Sequence, residues 1–452
     1  RALRLAATLG KGGKEPFGKV IDHIEHVLAK YNGEDPLFLS HRLMELLLEF
    51  GQGDPAIYTS IAERAADRAE SKGEWYRARA YWDTLTKWHA KGERLEDMAA
   101  ARIMAAETYV SEAATATSAM AAATHMQHAV EAYRRIGGQQ QRSDDLYKKL
   151  LEYQRQTLAE MKPISTEIDL SSAIEQARST VSGKPLRDAI MALCLLVRPT
   201  KVEKLRKQVE DLANKHPIQF IVSGTLVDGE GKVIARMPDL LTANADEREK
   251  AFRAHMFHQT GINYSVEVQA AIEPARKQIL LEHNVTLAEL MPFLSNNPLV
   301  RPGREYLYAE GLRAGFSGDW VIATHLLIPQ FEDSMRFVLQ NMGVTTSGLD
   351  QGVQDERSLN TTLYAPELEK AFGPDITFDL QSLLVERYGH NLRNNFAHGL
   401  MSHGAFYGVS VVFMWWLILR LICWPTIALT AKSQSSGDRG DAGIGKEQEG
   451  GG

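Results

Sequence analysis

GEWYRARAYWDTLTKWHAKG, residues 73–92, decides the fold class. It lies between the breaks Lys72-Gly73 and Lys91-Gly92 and repeats apolar residues three and four apart, the spacing that gives a helix one apolar face. Trp75, Tyr76, Ala80 and Trp82 read as its packing positions. The same pattern runs outward from Pro16 to Met161, interrupted at Asn32-Gly33, at Gly51 to Pro55, at Gly73, at Gly92 and at Gly137-Gly138. Asp54-Pro55 sets a capping carboxylate before a first-turn proline, a helix start, and Ser40 could cap only a fresh start within FLSHRLMELLLEF. The Ala-rich stretch around residues 99–133 implies close helix–helix contact.

The 73–92 segment resembles one helix of a tetratricopeptide-like hairpin, but no 34-residue period recurs, so residues 1–162 read as an irregular helical-repeat-like array. GGQQQRSDD and Pro163 mark a boundary to a middle section, 163–290. There PLRDAIMALCLLV is a buried helix and TKVEKLRKQVEDLANKHP an amphipathic one. IQFIVSGTLVDGEGKVIARMPDL, residues 218–240, switches period and carries turn residues at Asp228 to Gly231, which makes it the one β-hairpin expected. Helical patterning then resumes from Asp246 to about Phe293 and from Tyr306 to Leu429, the C-terminal domain covering 291–430, and the polar residues 431–452 read as a disordered tail. The fold class is therefore mainly α: a helical array, a hairpin-bearing middle section and a C-terminal helical bundle.

With 452 residues, two to three domains of ordinary size are expected. Lys and Arg number 51 against 57 Asp and Glu, a net charge of −6, which excludes a protein that grips nucleic acid by bulk positive charge. Any such contact must be local. The two cysteines, Cys194 and Cys423, sit in separate apolar runs and read as buried thiols of a reducing compartment rather than a disulfide framework. The N-terminal stretch lacks an apolar core long enough for a secretory signal, so a cytoplasmic location is expected. Gly10 to Lys14 has the composition of a phosphate loop but not its spacing, and reads as a flexible arm. No spacing typical of zinc or magnesium ligands occurs, and no cofactor or metal is expected.

Chemistry concentrates in GLRAGFSGDWVIATHLLIPQFEDSMRFVLQNMG, residues 311–343, and DITFDLQSLLVERYGHNLRNNFAHGLM, residues 375–401. The second contains Arg393-Asn394-Asn395-Phe396-Ala397-His398-Gly399. On a straight helix Arg393 and His398 diverge by about 140°, whereas Asn394 and His398 share a face. A site that uses all three needs a bend at the helix start, which Tyr388 to Asn391 allow, or a second copy of the motif across a dimer. Glu332 and Arg336, four apart, read equally as an exposed helical ion pair or as a support that orients Arg393 or His398. If the motif is only a helix start, Arg393 pairs with a carboxylate such as Glu386. His325 reads as a core histidine, while His390 and His403 flank the motif as secondary candidates.

The form RNxxxHG, preceded by Asn391-Leu392 and with LLIPQFEDSMR upstream, resembles the HEPN superfamily of all-helical proteins, in its domain-of-unknown-function branch that bears this signature. The resemblance covers roughly residues 290–425. It implies a helical domain that pairs with a second copy, pools Arg and His in one cleft and cleaves RNA without a metal, leaving 2′,3′-cyclic phosphate ends. Arg393, Asn394 and His398 are then the catalytic candidates, with Glu332, Arg336, Asn391 and Gly399 in support. The chemistry suits these residue types: imidazole exchanges protons near neutrality, and guanidinium holds phosphate oxygens while charge builds on them. By the same resemblance, the setting is a regulated toxin or a defence or stress effector.

AFYGVSVVFMWWLILRLICWPTIALTA, residues 405–431, bears on location. Its unbroken piece, Ala405 to Leu419, is 15 residues, short of the roughly 20 that cross a bilayer. It reads first as a core helix that also buries a dimer contact, with Arg420 snorkelling or paired at the rim, and second as a membrane anchor. The expected partners are RNA, a second copy of the chain and a protein bound by the N-terminal array. The alternative functions are a non-catalytic scaffold or RNA-binding protein, and a membrane-anchored RNA-processing factor.

Overall fold

The computed structural model describes residue 4 and residues 14–35, 37–161, 168–217, 220, 224–240, 244–350, 353–356 and 358–441. The protein is mainly α-helical and divides into two compact units: Arg1–Ile164 with Val227–Val233, and Ser165–Leu226 with Ile234–Gly452. The glycine-rich arm at Gly10 to Lys14 lies almost wholly outside the described residues.

The first unit contains α1 (Lys14–Tyr31), α2 (Leu39–Glu49), α3 (Pro55–Ser71), α4 (Trp75–Lys91), α5 (Leu95–Ala114), α6 (Ala119–Arg135) and α7 (Gln140–Glu160). From α3 onward each helix packs on the next. The Asp54 carboxylate caps α3 by accepting the Ala56 N–H at 2.9 Å. Helix α2 starts one residue before Ser40, and its cap is Asp35, whose carboxylate accepts the N–H groups of Leu39 and Ser40. The Ala-rich stretch breaks at Thr115–Ser118, where no glycine or proline marks an end; Ser118 caps α6 by accepting from the Ala121 N–H at 3.2 Å. On α4 the buried stripe is Ala78, Tyr81, Trp82, Leu85 and Trp88. Of the expected packing positions Trp82 is buried and Trp75 and Ala80 are half-buried, whereas Tyr76 is 70% exposed.

The second unit begins with α8 (Ser171–Val181), α9 (Leu186–Leu196) and α10 (Val202–Lys215). A two-stranded hairpin follows, β1 (Thr225–Val227) with β2 (Val233–Arg236), its tip grouped with the first unit. The turn is held by Asp228, whose carboxylate accepts the N–H groups of Glu230 and Lys232 at 2.9 Å each. Next come α11 (Ala245–Glu267), a π-helical turn (Val268–Ile272) and α12 (Glu273–Glu282). Pro274, which has no N–H to donate, sits at the start of α12 directly after that turn. The chain continues through α13 (Leu287–Leu294), α14 (Glu305–Ser317) and α15 (Trp320–Asn341) to a second hairpin, β3 (Ser347–Asp350) with β4 (Val353–Glu356). Its antiparallel register pairs Ser347 with Glu356, and it was not expected, because SGLDQGVQDE is polar and poor in β-branched residues. Then follow α16 (Leu359–Thr362), α17 (Pro366–Leu384), α18 (Leu392–Ala397), α19 (His403–Phe406) and α20 (Val409–Asp441). Helix α17 is broken at Gly373 (φ 78°, ψ 163°), just before Pro374.

Helix α20 carries the core. Val411 to Leu419 are each at most 4% exposed, as expected of a helix apolar on every side. One stretch among the described residues, His403–Ala428, is long and apolar enough to cross a membrane, and most of it is buried inside this unit. Trp415 donates its indole N–H to the Leu312 carbonyl at 3.1 Å and Trp416 to Leu193 at 3.0 Å. Arg420 is not at a rim. It is 8% exposed, and its Nη1 donates to the carbonyls of Cys194 and Val197. These carbonyls close the C-terminal turn of α9, where the helix leaves acceptors unsatisfied and its dipole is negative. Cys423 and Cys194, far apart in sequence, are neighbours, both free and buried. One apolar core therefore runs from Val181 to Cys423, and the separate middle section and C-terminal bundle are a single unit. The α20 backbone stays helical to Asp441, eleven residues into the segment expected as tail; residues 442–452 lie outside the described ones.

Candidate functional site

The motif sits on α18, six residues bounded by two tight turns. Before it, Gly389 packs against Ser382: a β-carbon there would stand 2.3 Å from the Ser382 carbonyl oxygen, so only glycine fits. The His390 N–H donates to that carbonyl at 2.8 Å, and Asn391 adopts the left-handed conformation (φ 50°, ψ 33°) that turns the chain into α18. Leu392 anchors the helix in the core at 4% exposure. After it, Gly399 (φ 65°) reverses the chain, with the Leu400 N–H donating to the Asn395 carbonyl at 2.8 Å and Gly399 to Phe396 at 3.1 Å. This is a Schellman ending, in which glycine supplies the left-handed residue and the last carbonyls are satisfied.

Arg393 leaves α18 toward α15. Its Nε donates to Glu332 Oε2 at 3.0 Å and its Nη2 to Glu332 Oε1 at 3.3 Å, while Nη1 donates to Asn394 Oδ1 at 3.3 Å. Glu332 Oε1 also accepts from Arg336 Nη1 at 3.2 Å. Asn394 Nδ2 donates to Asn391 Oδ1 at 2.6 Å. Arg336, Glu332, Arg393, Asn394 and Asn391 thus form one chain of hydrogen bonds with two cations on one carboxylate. The ionic side chains are only 15–24% exposed. Glu332, rather than Glu386, is the carboxylate that Arg393 meets.

His398 stands apart from this chain. It is the residue at which α18 ends, it is exposed, and its ring makes no hydrogen bond among the described residues. The bend that the spacing called for exists at Asn391, yet it directs Arg393 to Glu332 and leaves His398 on the surface.

His325 is exposed rather than a core histidine. Its ring is stacked on Phe406 (centroids 5.4 Å apart, 20° between planes) and meets the edge of Phe396 at 5.0 Å and 81°. This contact joins α15, α18 and α19. The signal for it was present in the sequence: His325, Glu332 and Arg336 are spaced by seven and four residues and so share one face of α15. His403 is exposed and packs on Tyr407 at 5.1 Å. His390 turns inward against Tyr264 at 5.6 Å; burial lowers its pKa to about 4, and its Nε2 has no hydrogen-bond partner among the described residues.

Behind this surface lies a buried acidic group. Asp379 accepts from the Tyr264 hydroxyl at 2.6 Å and from the Thr200 N–H at 2.9 Å, and burial raises its carboxyl to about 6. Burial, with Asp379 nearby, raises Glu267 to about 8. No group of three or more His, Cys, Asp or Glu side chains that could hold a metal occurs among the described residues. Compared with protein-family models, curated proteins and solved structures, the chain matches none of them.

Proposed function

We propose that Arg393, Asn394 and His398 form half of an RNA-cleaving centre of the HEPN type, completed by the same residues of a second copy of the chain. The observation that carries this reading is the grip of Glu332 on the Nε and Nη2 edge of Arg393, which fixes the guanidinium beside Asn394 while His398 remains open to solvent one turn away. In the reaction, one His398 takes the proton of the ribose 2′-hydroxyl as its oxygen bonds to phosphorus. The P–O5′ bond breaks, and the second copy's His398 gives a proton to the departing 5′-oxygen. Arg393 offsets the charge that builds on the phosphate oxygens. The products are a 2′,3′-cyclic phosphate and a 5′-hydroxyl. One chain presents one such histidine in the motif, and an acid and a base are both needed, which is why the reading requires a dimer.

The test incubates purified protein with RNA in EDTA beside His398→Ala and Arg393→Ala. Cleavage by the unaltered chain, lost in both variants, is expected; equal cleavage by all three refutes the assignment.

A second reading draws on the same ion pair. Glu332 and Arg336 can serve only to tie the short α18 to α15, so that the unit is a non-catalytic dimerisation or RNA-binding module. On that reading the His398→Ala chain retains all function, and disruption around Trp75 and Trp82 in the first unit removes it.

A further inference from the structure

Where α17 breaks at Gly373, the second unit opens a cleft of about 310 Å³, within the size range of small-molecule sites. Leu299, Val338, Ile376 and Leu421 supply apolar walls, and Arg420 is the one charged residue that lines it. Trp424, 49% exposed, also lines it, the amphipathic kind of ring that suits a boundary between apolar surface and water.

Arg420 has an incomplete set of partners. Its Nη1 is committed to two neutral carbonyls of the α9 end, and its guanidinium lies 5.8 Å and 5.4 Å from the ring centroids of Trp416 and Trp424. Among the described residues no carboxylate pairs with it, and its Nε and Nη2 make no hydrogen bond. That remaining edge is one of the two through which a guanidinium binds a carboxylate with paired hydrogen bonds. A buried cation without an anion, on an apolar cleft, selects for an anionic head on an apolar body. With one cation on its lining the cleft suits a monoanion better than a phosphate dianion; Arg198, whose charge acts on Arg420, is not among the lining residues.

We propose that this cleft binds a fatty-acid anion, the carboxylate on the free edge of Arg420 and the proximal part of the chain between Leu299, Val338, Ile376 and Leu421. The proposal is independent of the RNA-cleavage reading, since none of these residues belongs to the motif.

Equilibrium dialysis of the full chain against radiolabelled dodecanoate, dodecanol and dodecyltrimethylammonium, each below its micelle concentration, tests it. One dodecanoate per chain is expected to bind at least tenfold tighter than dodecanol, with no binding of the cation. Ala371→Trp, at an exposed position on the cleft edge, is expected to weaken dodecanoate at least tenfold with an unchanged melting temperature. Arg420→Met removes the preference for dodecanoate over dodecanol; because Arg420 also holds α9, the Ala371→Trp chain carries the test if that variant does not fold. Equal affinity for all three probes, or unaltered binding by Ala371→Trp, overturns the proposal. So does sedimentation of the protein with phosphatidylcholine vesicles in the absence of dodecanoate binding, which assigns the face to a bilayer.

Discussion

Glu332 holds Arg393 through two nitrogens of its guanidinium, Nε at 3.0 Å and Nη2 at 3.3 Å, across 61 residues of sequence. The carboxylate also serves Arg336, so neutralising it leaves two largely buried cations side by side. Glu332→Gln is therefore expected to lower stability by about 2 kcal/mol, a partial version of the loss of a buried ion-pair partner. For a unit of this size that is a fall of roughly 4–8 °C in melting temperature, followed by circular dichroism. If α18 is anchored by Leu392 alone, Glu332→Gln melts with the unaltered protein.

Gly315 on α14 and Trp415 on α20 meet without space for a methyl group: a β-carbon on Gly315 would lie 2.1 Å from the indole Nε1. The same indole donates to the Leu312 carbonyl, so it cannot swing away without breaking a buried bond. Gly315→Ala is expected to cost about 1–3 kcal/mol or more through overpacking, despite its better helix propensity. Gly404, with nothing within 4 Å of its would-be β-carbon, is the control. Its alanine variant is expected to be neutral or slightly stabilising, by roughly 0.4–1 kcal/mol. Equal melting temperatures for the two alanine variants would show that α14 and α20 are not in close contact.

These two contacts mark how far the sequence can be read. Helix ends written in Gly, Asp-Pro or Asn-Gly were legible, since those residues act through their own backbone, and so was the all-round apolar run that became the centre of the second unit. What a helix faces was not legible. Tyr76 and Tyr81 both fit an apolar stripe, and only packing of the neighbouring helices buries the second. Arg420 looked like a rim residue because its acceptors, the carbonyls of Cys194 and Val197, carry no side-chain signature. In the site, the spacing of Glu332 and Arg336 was visible, but not whether the pair was exposed or shared with Arg393. The divergence of His398 from Arg393 follows from their five-residue spacing, which was legible, whereas the end of α18 at His398, before the left-handed Gly399, was not.

The neighbouring Cys194, together with burial, pushes the Cys423 thiol well above the usual thiol range. Both side chains are 0% exposed, which closes them to reagents, so neither cysteine should react in the folded chain. Titration with a chromogenic aromatic disulfide is expected to find no reactive thiol in native protein and two after unfolding in guanidinium. Rapid modification of the native chain would mean that the α9 and α20 contact opens readily.

Glu267, Asp379 and His390 give the second unit a defined response to pH. Burial raises Glu267 from 4.5 to about 8 and Asp379 from 3.8 to about 6, so the folded state keeps protons that the unfolded chain has already released. Their contribution to stability is full below the unfolded values and is lost as pH rises through the folded ones. His390, lowered from 6.5 to about 4, acts oppositely: its contribution is lost as pH falls below 6.5 toward 4. Between about 4.5 and 6.5 the opposing slopes partly cancel. From 6.5 to 8 only the carboxyl slope remains, and with up to about 1.4 kcal/mol per group and pH unit, stability should fall by at most about 2 kcal/mol through Glu267. Glu386, also raised by burial, adds in the same direction. Glu267→Gln keeps a neutral side chain at every pH and should flatten this decline, melting close to the unaltered protein at pH 6.5 and above it at pH 8. An identical pH dependence in the two proteins would place Glu267 in contact with solvent rather than beside Asp379.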